Sequence, residues 1–521
     1  MAGIAPVQLG VFAFIFVAVA LVGVFASKWR KAESLNNLEE WGLGGRSFGG
    51  IITWFLLGGD LYTAYTFIAV PALVYGAGQV GFFTVPYTIV LYPFAFVVMP
   101  RLWSVAHRHG YVTPADFVRG RHGSDLLALA IAITGIVSVI PYVALQLYGL
   151  RVVFEAMGLG TTTLGTGLPL FLSFVIFALY TFQSGLRAPA LTAFLKDTLI
   201  YAVVIVAVIY IPLSLGGYAP VFDSARHALA AKPASAGAAF ITPSSMYSPY
   251  ATLAFGSALA LFMYPHNVTG TLAAKRRDTV RRNMAALPAY TLLLGFIALL
   301  GYMAYAKGIH VSDPNLALPR LFQASFPNWF VGVSFAAIGI GALVPAGIMA
   351  IAAANLFSRN IWTTYIRHDS SPSVQTWLAR IVAVVISALA LLFILAIKTT
   401  FILNFQLLGG VWILQTLPAL VFGLYTRWFH RWALLVAWAF GIATGTLMAV
   451  ANAFESSVYA VHLGPLQFSA YAGLIALVVN ILVLLILNPL CKLARLPAGA
   501  DETTADDYEA EVEDDPAPAA A

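Results

Sequence analysis

Residues 50–76 read GIITWFLLGGDLYTAYTFIAVPALVYG. The run is apolar and long enough to cross roughly 30 Å of hydrocarbon as a helix. Its middle carries the pair Gly58-Gly59, followed directly by Asp60, with the hydroxyl side chains of Thr53, Tyr62, Thr63, Tyr65 and Thr66 nearby. Paired glycines weaken a helix where its backbone would otherwise satisfy itself. Five spans later, residues 253–274, LAFGSALALFMYPHNVTGTLAA, repeat the pattern with Pro265 beside His266 and Asn267. Proline removes a donor and clashes with the preceding turn. Two interrupted helices thus occupy corresponding places. They are read either as kinks that aid packing or as the paired breaks of an inverted-repeat transporter, whose half-helix ends and unwound carbonyls hold substrate and ions near the midplane.

The rest of the chain agrees with a membrane setting. Of 521 residues, 60% are hydrophobic and 10% charged, and mean hydropathy is +0.85. A soluble globular protein is excluded, since about 25% of its residues would be charged. The apolar runs are continuous instead of alternating, which excludes a β-barrel. The single Cys491 has no partner for a disulfide and no metal-ligand spacing around it, and it reads as a packing residue at the membrane edge. No metal site and no cofactor motif is visible. Neither a Walker motif nor HExxH occurs, so an enzyme or an ATP-driven pump is not expected. No nucleic-acid module is visible either.

Apolar runs between polar or Pro/Gly breaks predict about thirteen spans, starting near Gln8, Gly50, Gly81, Asp125, Gly165, Pro189, Tyr250, Met284, Val331, Trp377, Phe401, Trp432 and Gln467. The N-terminus lacks a basic region and a cleavage site, so the first run reads as a retained helix. The net charge of +6 hides a tail, 501–521, with nine acids and no base, leaving the remainder near +15. With the N-terminus outside, 21 of the 28 Lys and Arg residues fall on cytoplasmic segments or the tail. That asymmetry predicts N-out and C-in in a cytoplasmic membrane. The long external loops 216–248 and 307–328 read as lids or spacers, and the acidic tail, which cannot bury a core, as disordered.

Four segments resemble signatures of the sodium:solute symporter family in order and spacing: GGRSFG (44–49), GYVTPADFVRGRHGS (110–124), SGLRAP (184–189) and YPHNVTGTLAAKRRDTVRRN (264–283). The wording YTAYTFIAVPALVYGAG (62–78) and LVPAGIMAIAAANLFSRNIW (343–362) looks most like the monocarboxylate-permease branch. The resemblance implies an all-α integral membrane protein with the five-plus-five inverted repeat of the leucine-transporter fold. One extra helix and its linker would lie in 1–43, and the repeats in 44–216 and 250–426 around the external loop 217–249. Two peripheral helices would follow in 427–490 and a cytoplasmic tail in 491–521. It also implies a secondary transporter for lactate, pyruvate and related short carboxylates, and sometimes alanine, coupled to an ion.

The sequence departs from the family's sodium pattern at two places. Aligning NLFSRNIW with the family's equivalent segment puts Val344 and Pro345 where two sodium-binding hydroxyls usually stand, and neither side chain can coordinate sodium. In the sixth span the place of a frequent aspartate falls near Ala193, and one turn further along the same face is Lys196. Lys196 lies about eight residues into that helix from the turn at Arg187, or roughly 12 Å, near the midplane. A charge there costs at least about 2.5 kcal/mol, so it needs a cavity or a partner. Either Lys196 pairs with Asp197 or snorkels and only holds helices together, or its ammonium fills the vacant cation place and exchanges a proton during transport.

Asp60 reads as a counter-charge to Lys196, as a proton relay, or as a cap at the break. The half-helix N-termini at Gly58-Gly59 and Pro265 offer N–H groups to a carboxylate, with Tyr62, Thr63, Tyr65 and Thr66 as further donors. His266 and Asn267 beside the second break read as structural or as substrate-facing. In FQLLGGVWILQTLPALVFG (405–423), Gln406, Trp412 and Gln415 are candidates for the outer vestibule. The reading that follows is a proton-coupled importer of short monocarboxylates. Its rivals are a sodium symporter with a displaced ion site and a channel or membrane sensor.

Overall fold

The computed structural model describes residues 5–25, 36–159, 163–232, 238–397 and 400–510. The expected bases Lys28, Arg30, Lys31 and Lys398 and the acids Glu511, Glu513, Asp514 and Asp515 lie outside the described residues. Among the described residues, ten helices are long and apolar enough to cross a membrane. The expectation of about thirteen also counts the two interrupted helices, neither half of which is long enough alone, and the helix Thr163–Ser184.

In chain order, α1 (Pro6–Phe25) precedes the first interrupted helix, which consists of α2 (Gly50–Gly59) and α3 (Tyr65–Ala77). Then come α4 (Thr84–His109), α5 (Pro114–His122), α6 (Asp125–Ala156), α7 (Thr163–Ser184) and α8 (Arg187–Ser214). The second interrupted helix is α9 (Tyr247–Leu261) and α10 (Pro265–Leu272), followed by α11 (Arg277–Ala286), α12 (Ala289–Ala306), α13 (Asn328–Leu356), α14 (Pro372–Ala396) and α15 (Leu403–Ile413). Helices α16 (Arg431–Ala451) and α17 (Ala472–Leu493) pack on each other at the end.

Local chemistry sets several of these boundaries. Thr113 caps α5 in a reciprocal box with Asp116, and Pro114 occupies the first helical position, where its missing N–H is harmless. Pro265 starts α10 in the same way, so the residue that ends α9 also initiates its other half. Between α16 and α17 the chain forms an antiparallel hairpin, β1 (Val458–Leu463) and β2 (Leu466–Tyr471), with Val458 opposite Tyr471. The last membrane helix therefore begins at Ala472, not near Gln467. The loop 216–248 contains a helix, Tyr218–Ala230, and 307–328 another, Ala317–Ser325.

Two packed sets of helices emerge. In one, α4 packs against α9, α10, α11 and α12, and α2 lies against α10 and α11. In the other, α6 packs against α13, α14 and α15. Helix α13 is buried through almost its whole length, and α8 lies against both α2 and α13.

The acidic tail differs from expectation over its first ten residues. Residues 501–510 fold back onto the end of α4 and onto α5: Arg121 Nη1 donates to Asp501 Oδ2 at 2.8 Å, His109 Nε2 meets Asp507 Oδ2 at 2.8 Å, and Tyr508 is buried against Phe117. An aromatic anchor and a basic platform thus supply what the acidic composition alone lacks. Burial alone would raise the Asp507 carboxyl, but hydrogen bonds from Thr504 and His109 outweigh it and hold it below the usual carboxylate range.

Candidate functional site

Helix α2 ends at Gly59, with Asp60 as its C-cap residue, and regular helix resumes at Tyr65 as a π-turn. The residues between leave carbonyls and amides without helical partners, and neighbouring side chains take them up. Lys196, wholly buried on α8, donates from Nζ to the Gly59 carbonyl and to the Tyr62 carbonyl, the latter at 3.1 Å. Its ion pair is with Asp197, whose Oδ1 is 3.0 Å away. Tyr290 of α12 donates to the other Asp197 oxygen at 3.3 Å, and Tyr62 donates to the Tyr290 carbonyl at 2.7 Å. The ammonium therefore sits on the open carbonyls of the break. A Cβ on Gly341 of α13 would lie 3.6 Å from the Tyr62 carbonyl, so α13 closes the same spot from the other set of helices.

Val344 and Pro345 are buried one turn further along α13. Val344 lines a small apolar cavity with Phe16, Ile340 and Leu343. Neither brings an oxygen-bearing side chain to the break.

Asp60 does not serve as the counter-charge of Lys196, which corrects that part of the expectation. Its Oδ2 instead lies 3.0 Å from His266 Nε2, so each interrupted helix contributes one member of a buried pair. The contact is off the line that a hydrogen bond requires, and Asp60 Oδ1 and His266 Nδ1 have no hydrogen-bond partner. The rings of Tyr142 and Tyr264 flank the imidazole at 5.5 and 5.3 Å between centroids.

The remaining candidates divide. Tyr65 and Thr66 line a cavity with Leu61, Tyr87 and Tyr142, and the Tyr65 hydroxyl is unpartnered. Thr66 itself donates to the Leu61 carbonyl, and Thr63 accepts from the Tyr65 N–H at 3.0 Å. Asn267 donates to the Leu261 carbonyl at 2.9 Å, repairing the end of α9. Gln406 is buried with both side-chain amide atoms unpartnered, while its main-chain carbonyl accepts from the Tyr264 hydroxyl at 2.8 Å. Trp412 and Gln415 face elsewhere: Trp412 bonds Thr446 of α16, and Gln415 bonds Val411 and Gly473. Their placement toward the two terminal helices corrects the vestibule reading. Thr53 closes onto Phe48, outside the site.

The half-helix N-termini are less open than expected. Gln146 of α6 accepts from the Ala64 N–H at 3.0 Å, and the amides of Asn267 and Val268 bond back to the Tyr264 carbonyl. Gln146, Tyr87, Tyr142, Tyr264 and Tyr290 escaped sequence reasoning. Only their polarity inside apolar spans hinted at them. Two cavities of about 10 and 20 Å³ share Leu61, each about the size of one water, so a larger solute enters only if the surrounding helices move.

The sequence profile of the sodium:solute symporter family matches residues 41–439. The chain is 52% identical to a monocarboxylate transport permease protein of Rhizobium johnstonii, over 94% of this chain and 97% of that one. It is 34% identical to the uncharacterized symporter YodF of Bacillus subtilis, over 92% of each. Among solved structures it resembles a sodium-coupled sialic acid symporter in a substrate-bound outward-open state, with a TM-score of 0.73 and 17% identity over 94% of this chain and 98% of that one. That likeness fixes the fold, a leucine-transporter-like symporter architecture.

Proposed function

The chain belongs to the sodium:solute symporter family, and from that premise we propose that it imports short monocarboxylates such as lactate and pyruvate, with alanine a further candidate, by proton-coupled alternating access. The name of the Rhizobium johnstonii relative, at 52% identity over nearly the whole chain, supports the substrate class. The observation that carries the coupling is the Lys196 ammonium seated on the Gly59 and Tyr62 carbonyls, where a bound cation would otherwise sit.

The coupling then follows from hydrogen-bond chemistry. A protonated Lys196 ties α8 to the break and neutralises Asp197 beside it. When the proton leaves, the ammonium's charge-assisted bonds to both carbonyls weaken, and the interrupted helix is freed to move against α8 and α13. In this reading sodium has no such role, since Val344 and Pro345 bring no side-chain oxygen to the break. The charge asymmetry of the loops supports a cytoplasmic membrane with the N-terminus outside and the C-terminus inside.

Labelled lactate or pyruvate is expected to accumulate in vesicles holding the purified protein, with unlabelled two- to four-carbon monocarboxylates competing. Competition by sugars, proline or nucleobases, without competition by monocarboxylates, would show the substrate assignment to be wrong.

A further inference from the structure

We propose that the Asp60–His266 pair is the receptor for the substrate's carboxylate, and that the substrate displaces Asp60 from His266 and so draws a proton onto Asp60. The proposal rests on the monocarboxylate reading and adds a second proton site to it. The argument starts from the breaks. Their amides at Ala64, Tyr65, Asn267 and Val268 are already bonded within the protein, which leaves few backbone donors and favours a side chain as receiver of a carboxylate. His266 is the group at the second break that can carry a positive charge, and it is 1% exposed.

Its present partner is held loosely. The 3.0 Å contact between Nε2 and Oδ2 is not aligned as a hydrogen bond, while Nδ1 and the second Asp60 oxygen are unpartnered. Buried polar atoms without partners are costly, and an incoming carboxylate would satisfy those of His266. The surroundings then force the proton. Tyr87, Tyr92 and Tyr142 are the titratable neighbours of Asp60, and Tyr142 and Tyr264 those of His266. All are neutral phenols. Lys196 is engaged with Gly59, Tyr62 and Asp197. With substrate bound, two carboxylates would face one imidazole ring in a site with little room for water. Like charges that close do not both stay ionised, so one takes a proton. Asp60, displaced from its cation, is the one left uncompensated. A protonated Asp60 can in turn donate to the substrate.

The test is binding of lactate to the purified full-length protein, with proton uptake followed by calorimetry in buffers of different ionisation enthalpy. The double variant Lys196→Met/Asp197→Asn serves as background, so that neither the lysine nor an orphaned carboxylate beside it contributes protons. Lactate is expected to bind with uptake of about one proton, whereas Asp60→Asn binds without uptake. His266→Gln is expected to weaken binding by at least about tenfold, and lactamide, which lacks the charge, to bind poorly to every form. If His266→Gln does not fold, the isosteric Asp60→Asn carries the decision through its proton count. Lactate binding that ignores both substitutions, or undiminished uptake in Asp60→Asn, overturns this proposal alone. Absence of any monocarboxylate binding by the wild-type protein overturns the substrate reading and this proposal with it.

A separate observation carries a second inference. We infer that residues 501–510 form a strap that holds the cytoplasmic face closed. On α4 the strap is gripped by Arg101, which reaches Glu509 at 3.3 Å, and by His109, which reaches Asp507. On the other side Glu502 N–H donates to the Gly120 carbonyl of α5 at 2.8 Å, and Arg427, beyond α15, holds Asp501 at 3.1 Å. Helix α5 packs on α6, whereas α4 belongs to the set built around the interrupted helices. Rocking of one set against the other must therefore stretch or release these contacts. Chains truncated before Asp501, or carrying Asp507→Asn with Tyr508→Ala, are expected to exchange substrate across vesicle membranes roughly fivefold faster. High salt on the cytoplasmic side is expected to mimic this in the full chain. Unchanged exchange in both variants would overturn the strap.

Discussion

Replacing Lys196 by methionine is expected to reduce accumulation driven by an inward pH gradient to the level of protein-free vesicles, while weak binding and exchange persist. Methionine keeps the length of the side chain but cannot hold a proton. The Gly59 and Tyr62 carbonyls then lose their donor, and Asp197 is left as a lone buried charge. Breaking a buried pair from one side costs about 3–5 kcal/mol, so instability must be separated from uncoupling. The double variant Lys196→Met/Asp197→Asn does this, because it removes the orphaned charge along with the cation. It is expected to recover thermal stability without recovering accumulation. Lys196→Arg should fare little better than methionine, since guanidinium keeps its proton at every accessible pH. Concentrative uptake by the methionine variant would make the lysine a structural tie.

A large side chain at the first break is the second substitution with a severe expected effect. A Cβ at Gly58 would run into the ring of Tyr290, which holds Asp197 on one side and receives Tyr62 on the other. At Gly59 it would meet Asp197 Oδ2 at 2.9 Å and Lys196 Nζ at 3.0 Å. Overpacking of this kind costs about 1–3 kcal/mol. Gly58→Leu also restores helix propensity where open carbonyls are needed. Transport is expected to fall about 100-fold, as misplacement by about 1 Å can cause, while the protein still inserts and elutes as a single species. Normal uptake by both Gly58→Leu and Gly59→Leu would show the break to be ordinary packing.

Much of this was legible in the sequence because it depends on local chemistry. Paired glycines and a helix-starting proline located both breaks, since their effect acts on the adjacent backbone and needs no knowledge of the fold. The depth of Lys196 followed from helical rise alone. Its pairing with Asp197 was one of the two readings, and the carbonyls of Gly59 and Tyr62 are its further partners, while the proton exchange of the other reading stays a proposal. The encounter of Asp60 with His266 was not legible. It joins two helices distant in sequence, and no periodicity records which faces meet across a bundle. Tyr142 and Tyr264 looked like ordinary aromatic residues for the same reason. Trp412 and Gln415 were misplaced because a short run around Gly409-Gly410 does not reveal which face of α15 turns toward the terminal helices. The strap was hidden by composition: nine acids suggested a free tail, and only the basic platform opposite, with Tyr508 as anchor, explains its docking.

The central claim is that a proton on Lys196 does the work of a cation. It is tested most directly by uptake of labelled lactate into vesicles under separately imposed pH and sodium gradients. The account predicts concentrative uptake with an inward proton gradient, unchanged when potassium replaces sodium. Uptake that requires an inward sodium gradient and ignores the pH gradient would contradict it.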